Sequence, residues 1–281
     1  MPNMAKPERP PYVRRRLGAK LKRMREASGH TLDTAAAALD KTRSALHRIE
    51  TGETKANVHL IRTMMDLYDH FDPALIDAVR KSTQKPWFAA YGVQDNGGYL
   101  GVETEASHVD EFSAQVIPGL LQTDGYIRAL FTTRGNTNLE QAALIRLFRQ
   151  RRLISESDPL TYTAIVDEAA LLRQVGGPSA MREQLHHLLE VANLPTVTLR
   201  VLPLDLGAHD ALPGPFCLLS FPDPEDPEYL YVEHVTGTLH CEEEEDVTEA
   251  RTVFTQLESV ALDPDDSVAL IRALTGSMIT G

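Results

Sequence analysis

The sequence predicts an all-α N-terminal domain of five short helices, followed by a larger α+β domain. Three observations carry this expectation. First, charge divides the chain. Residues 1–81 hold 16 Lys/Arg and 10 Asp/Glu, a net of +6, whereas the remaining 200 residues hold 12 and 30, a net of −18. Second, apolar residues recur every three or four positions through the basic head, the period of a buried helix face. Third, strand-like alternation appears only in the acidic part, most clearly at Val197, Leu199 and Val201 against Thr198 and Arg200.

The elements follow in order. Residues 1–12, rich in Pro and charge, are expected to form a flexible arm. A helical domain is expected over 13–81. Val13, Leu17, Leu21 and Met24 share one face of a first helix that Ser28-Gly29 ends. Thr31 caps a short second helix through Ala38, and Asp40-Lys41 make a turn. Thr42 caps a third helix over about 43–50, which Gly52 stops. Asn57 caps a fourth with the stripe Val58, Ile61, Met65 and Tyr68, and Pro73 opens a fifth. A linker is expected over 82–102, where Trp87, Phe88 and Tyr91 make an aromatic cluster suited to docked packing. The α+β domain is expected over 103–281. Helices are placed at about 103–115, 124–132, 138–155, 178–193, 247–261 and 265–275, with strands at 160–167, 196–203, 215–221 and 228–235.

Composition narrows the function classes. At 42% hydrophobic and 24% charged, the chain supports a packed core. No apolar run reaches membrane-helix length, and the N-terminus resembles no signal peptide, so a cytoplasmic protein is expected, nucleoid-associated when bound. Cys217 and Cys241 make neither a disulfide framework nor a zinc quartet. A basic head on an acidic body suggests that the head meets a polyanion.

Two helices joined by a short turn, with caps at Thr31 and Thr42, have the size of a helix-turn-helix. Leu46 and Ile49 bury one face of the second of these helices, which leaves Arg43, Ser44, His47 and Arg48 on or near the outer face. Arginines there suit guanine edges or phosphates. The helix start at Thr42 adds free backbone N–H groups. Arg14, Arg15 and Arg16, with Lys20, Lys22 and Arg23, add attraction that is independent of base sequence.

The stretch Leu17–Tyr68, with LKRMREASGHTL, TRSALHRIETGE and IRTMMDLYD, resembles the Xre-type (Cro/repressor-like) helix-turn-helix regulators. The resemblance implies that Arg43, Ser44 and Arg48 read base edges and that Thr31, Thr51 and Lys55 lie near phosphates. It also implies a structural ion pair between Arg25 and Glu50. Three positions depart from the pattern: Leu32 stands where a phosphate-binding Gln is common, Ala35 where a core Leu is common, and His47 where a small polar residue is common.

In the acidic part, Val116–Thr123 (VIPGLLQT), Tyr126–Leu130, Ile165–Leu171, Val197–Pro203, Pro215-Phe216 and Tyr231–Glu233 resemble the WhiJ-like, antitoxin-like C-terminal domain of bacterial Xre-type regulators. Relatives of that class are often encoded beside a small partner protein. Glu103, Glu105, Gln122, Tyr126 and Arg128 are candidates for a partner or ligand groove, with core or interface packing as the other reading. The negative charge suits a small basic protein encoded nearby.

Catalysis is not expected. Asp167-Glu168 and Glu233-His234 sit at strand ends, where carboxylates can hold Mg²⁺, but such pairs are ordinary in so acidic a domain. His209, Cys217, His240 and Cys241 match no zinc spacing, so no metal and no cofactor are expected. The expected function is a sequence-specific DNA-binding transcriptional regulator, a repressor, whose C-terminal domain dimerises and senses a partner protein or small ligand. A homodimer on a pseudo-palindromic operator of double-stranded DNA is the expected assembly. The alternative is an antitoxin-type protein that neutralises a small partner and binds DNA to regulate itself.

Overall fold

The computed structural model describes residues 9–93, 98–133, 135 and 138–277. The chain forms two compact units, Met1–Glu105 and Ala106–Gly281.

The first unit opens with α1 (Tyr12–Ala27), α2 (Leu32–Ala38), α3 (Arg43–Glu50), α4 (Val58–Leu67) and α5 (Pro73–Thr83). Each start after α1 has a side-chain cap. Thr31 accepts from the Thr34 amide, Thr42 from Ala45, Asn57 from Leu60 and Asp72 from Ala74, which satisfies donors the helix leaves unpaired. Leu17, Leu21, Met24, Ala35, Leu46, Ile49, Ile61, Met64 and Leu75 meet in one core.

Two expectations for this unit need correction. Of the arm placed at 1–12, residues 1–8 lie outside the described residues. Its last residue, Tyr12, is buried and opens α1, so the helix that carries Arg14, Arg15 and Arg16 starts one residue before the expected boundary. The linker placed at 82–102 is not plain linker either, although residues 94–97 lie outside the described ones. A 3-10 turn at Trp87–Tyr91 and α6 (Tyr99–Glu105) belong to the first unit. The Trp87 indole N–H donates to Thr104 Oγ1 at 2.9 Å, and its ring meets Phe88 and Tyr91 edge-on. Buried Glu105 takes Lys81 Nζ at 2.9 Å, which ties α6 to α5.

The second unit is built on a six-stranded mixed sheet. Its elements in chain order are β1 (His108–Ser113), α7 (Asp124–Thr133), α8 (Leu139–Gln150), β2 (Thr161–Asp167), α9 (Glu168–Leu172), α10 (Gly177–Val191), β3 (Val197–Leu202), β4 (Phe216–Ser220), β5 (Tyr229–His234), β6 (Gly237–Cys241), α11 (Glu244–Val260) and α12 (Pro264–Ser277). The strand order is β3-β2-β1-β4-β5-β6. The first three strands run parallel, and β4, β5 and β6 continue antiparallel. One face, with Phe112, Ile165, Leu202, Leu218 and Leu230, packs against Val247, Phe254 and Leu257 of α11.

The helix expected at 103–115 is corrected. α6 ends at Glu105, and residues 108–113 form β1, an interior strand of the sheet. Its acids hid it. Asp110 is buried between His108 (2.6 Å) and Arg251 of α11 (2.5 Å), and Glu111 accepts the Tyr162 hydroxyl at 2.6 Å. Edge strand β6 was not expected at all. None of the described helices is long and apolar enough to cross a membrane.

Candidate nucleic-acid interface

α2, its turn and α3 form the helix-turn-helix. The turn is set by hydrogen bonds from the Asp40 and Lys41 amides to Ala37 and Ala36 carbonyls, with Asp40 at φ 51°. This is the Schellman geometry, in which the residue after the helix takes the left-handed conformation. α3 then starts at the Thr42 cap, whose Oγ1 lies 3.1 Å from the Ala45 amide.

Leu46 and Ile49 turn inward, while Arg43, Ser44, His47 and Arg48 are exposed. The side chains of Arg43 and Arg48 are 69% and 60% accessible. Their ion partners are surface acids: Asp33 for Arg43 and Glu53 for Arg48, each at 3.3 Å. Exposed pairs of this kind contribute about 0–1 kcal/mol. Either guanidinium can therefore exchange its carboxylate for a phosphate or a base edge at little cost.

The remaining sequence-predicted residues fall around this face. Thr31 and Thr42 are exposed caps whose hydroxyls already accept backbone N–H groups. Thr51 is half-buried and its hydroxyl donates to Glu53 at 3.3 Å, and Lys55 is exposed. On α1, Lys22 is exposed beside Glu26, while Arg14, Arg15 and Arg16 are half-buried. Arg15 Nη1 donates to the Pro10 carbonyl at 2.7 Å and lies over the Tyr12 ring. Arg16 Nη1 lies 3.8 Å from Glu105. Arg15 and Arg16 thus have structural work inside the unit.

α3 is held rigidly from behind. Arg25 and Glu50, both buried, form a two-pronged pair, Nε to Oε1 at 2.7 Å and Nη2 to Oε2 at 3.0 Å. The third arginine nitrogen donates to the His30 carbonyl at 2.9 Å. The hydrogen bond to Glu50 raises the Arg25 pKa against the opposing effect of burial. Two glycines let α1 and α3 touch. A Cβ on Gly18 would overlap the Glu50 carbonyl oxygen, and one on Gly52 would lie 2.7 Å from the Arg15 amide nitrogen. Sequence reasoning found Gly52 as a stop signal but missed this second role.

Of the residues named for a partner or ligand groove, Gln122, Tyr126 and Arg128 lie in the second unit. Gln122 and Tyr126 are interior. Gln122 Nε2 donates to the Ile117 carbonyl at 2.6 Å, and its Oε1 accepts from Arg146 at 2.8 Å. The Tyr126 hydroxyl accepts the Ile117 amide at 3.0 Å. With Gln184, which bonds the Thr123 amide and Leu121 carbonyl, they clamp the turn Pro118–Thr123. Arg128 instead points to Asp124 and Glu140 at the surface. Glu103 and Glu105 are buried in α6 of the first unit. Gln122, Tyr126 and Gln184 thus satisfy buried backbone, the demand that dominates a loop inside a core.

The strand-end acids also have structural partners. Asp167 caps α9 through the Ala169 amide, and Glu168 accepts the Leu204 amide. Among the described residues, His209, Cys217, His240 and Cys241 do not form one group. Cys241 lies beside Glu243 and Asp246, and burial pushes its thiol up to about 11.

The comparisons with known proteins divide the chain between residues 79 and 97, ahead of the break between the two units after Glu105. Residues 16–79 match the model of a helix-turn-helix domain. A solved structure, the clp gene regulator ClgR from C. glutamicum, is 24% identical over 28% of this chain and 100% of that chain, with a TM-score of 0.23. No curated protein matches the chain. Residues 97–273 match the model described as the domain of unknown function DUF5753. That match takes in more than half of the chain, which therefore belongs to the DUF5753 family and carries a helix-turn-helix domain ahead of the family domain.

Proposed function

We propose that the protein is a sequence-specific DNA-binding transcriptional regulator of Xre type. The observation that carries this reading is the outer face of α3: Arg43, Ser44, His47 and Arg48 stand exposed on a capped helix whose inner face is fixed by Leu46, Ile49 and the Arg25–Glu50 pair. The start of such a helix enters the major groove, where arginine reads guanine by two parallel hydrogen bonds. Thr31, Thr42, Thr51, Lys55, Arg14 and Lys22 flank it as phosphate contacts, and Arg15 and Arg16 contribute charge. One such module covers little DNA, so two copies on a pseudo-palindromic operator are the assembly this reading requires. Repression by occupancy of a promoter is its expected output, in the cytoplasm.

The second unit, WhiJ-like by its sequence patches, is the regulatory part. It dimerises and receives a signal from a partner or a small ligand. Its net charge of −16, from 11 arginines and 27 acids, favours a second reading as well. An antitoxin-type protein would use that charge to hold a small basic partner and would bind DNA only to regulate itself. Calorimetry at low salt with the neighbouring gene product separates the two readings.

The decisive experiment selects operator DNA from a random library with the wild type and with the Arg43→Ala/Arg48→Ala variant. Each lost guanine contact should cost about 1–3 kcal/mol of discrimination. The variant should keep its thermal unfolding profile and lose preference at the guanines. An unchanged consensus would overturn the assignment of α3 as the reading helix.

A further inference from the structure

The outer edge of β3 carries a gap that the rest of the fold does not fill. In the parallel ladder with β2, the Tyr162 amide donates to the Thr196 carbonyl, and the register pairs Tyr162 with Val197. Thr196, Thr198, Arg200 and Leu202 therefore turn their backbone groups toward β2, and Val197, Leu199 and Val201 turn theirs outward. At both ends the outward groups are satisfied. The Val197 amide donates to the Leu194 carbonyl at 3.0 Å. The Val201 amide donates to Ser267 Oγ at 2.9 Å, and the Val201 carbonyl accepts the Leu262 amide at 2.9 Å. Between them, the Val197 carbonyl and both backbone groups of Leu199 have no hydrogen-bond partner among the described residues.

These three groups face a cleft of about 470 Å³ between the end of α10, β3 and α12. That volume lies within the roughly 300–1,000 Å³ of small-ligand sites. Its walls mix apolar Ala192, Val268 and Ala269 with polar Asn193 and Thr198. Two charges stand on its α12 side, Asp265 and Arg272, both exposed and both without an ion partner among the described residues. Seven residues of helix separate them by about 10 Å. Three residues of extended peptide span about the same distance.

We infer that this cleft binds a short free peptide, three or four residues long. The peptide adds one strand residue to the sheet edge: its central amide donates to the Leu199 carbonyl, and a peptide carbonyl accepts the Leu199 amide. Its ammonium end lies toward Asp265 and its carboxylate toward Arg272. Recognition through backbone and termini accepts many side chains and rejects blocked or long chains. This deepens the proposed function by giving the chemical class of the signal that the second unit receives, and it rests on that reading only for its consequence, not for the binding itself.

The test titrates Val-Ala-Val into the full-length ¹⁵N-labelled protein without DNA. Binding in the range of about 1 mM or tighter, with the Leu199 amide resonance shifted, is expected. The acetylated and amidated peptide, and separately the Arg272→Gln protein, should each bind about tenfold more weakly. Blocking the carboxylate should have no further effect on Arg272→Gln. Methylating the central peptide nitrogen should abolish binding. Ala269→Phe, at an exposed position on the cleft wall, should do the same. Absence of any shift at Leu199, or equal binding of free and blocked peptides by the wild type, overturns the inference. Since no DNA is present, either result leaves the reading of α3 standing.

Discussion

The Arg25–Glu50 pair shows how a buried charge is tolerated. Each partner alone would be an uncompensated ion in the core, so Glu50→Ala should destabilise the first unit by about 3–5 kcal/mol, whereas replacing both with apolar residues of similar volume should cost far less. Urea unfolding of the single and double variants checks this. Tyr68, beside the pair, is buried and its hydroxyl has no hydrogen-bond partner among the described residues. Burial first and the Glu50 charge second push it up to about 12, against the Arg25 charge. The unfolded phenol titrates near 10. Stability from this shift is therefore intact below about pH 10 and is lost as pH rises toward 12, on the order of 3 kcal/mol in all. Tyr68→Phe removes that loss. In unfolding measurements its advantage over the wild type should grow between pH 9.5 and about 11.5, and parallel curves for the two proteins would contradict the assignment.

At the scale of elements, the first unit was legible because its helices carry local signals. Thr31, Thr42, Asn57 and Pro73 announce starts, and the ends repeat one motif. Gly29, Asp40 and Asp69 each take positive φ just after a helix, followed by the Schellman hydrogen bonds. Aspartate at that position is tolerated less well than glycine. Asp40→Gly should therefore stabilise the protein by up to about 1 kcal/mol in thermal unfolding. Asp40→Val, with a branched Cβ, should destabilise it. In the second unit the signals are not local. β1 reads as a polar helix because Asp110 and Glu111 sit in it, and their partners Arg251 and Tyr162 are far away in sequence. Burial pushes the Asp110 carboxyl up, but His108 and Arg251 outweigh it and hold it below the usual range. Its contribution is thus present above about pH 4 and is lost as pH falls further. Arg251→Met should leave Asp110 short of a partner, cost about 3–5 kcal/mol, and flatten that acid limb of the stability profile. Gln122 and Tyr126 misled for a related reason. A polar motif with aromatic neighbours looks the same in sequence whether it meets a ligand or the chain's own backbone.

For the whole molecule, the charge division is the feature that sequence reads most directly, because net charge needs no geometry. It predicts where a polyanion is met, and the structure adds which cations are free to meet it. On the first unit Arg43, Arg48, Lys55 and Lys22 are exposed with at most a surface partner, whereas Arg25 is committed to the core and Arg15 and Arg16 to contacts within the unit. These classes should separate in the salt dependence of DNA binding. Each phosphate neutralised contributes about 0.9 to the slope of log affinity against log salt. Lys55→Ala should lower that slope by about 0.9 per bound copy and weaken operator and random DNA alike. Arg48→Ala should do more harm on operator than on random DNA, since it removes reading as well as charge. Glu53→Gln, which frees Arg48 from its surface partner, should raise affinity for both. Fluorescence anisotropy with both DNAs between about 50 and 200 mM salt measures all three. If Lys55→Ala left the slope unchanged while Arg16→Ala lowered it, the DNA would have to lie along α1, and the face built on α3 would not be the contact surface.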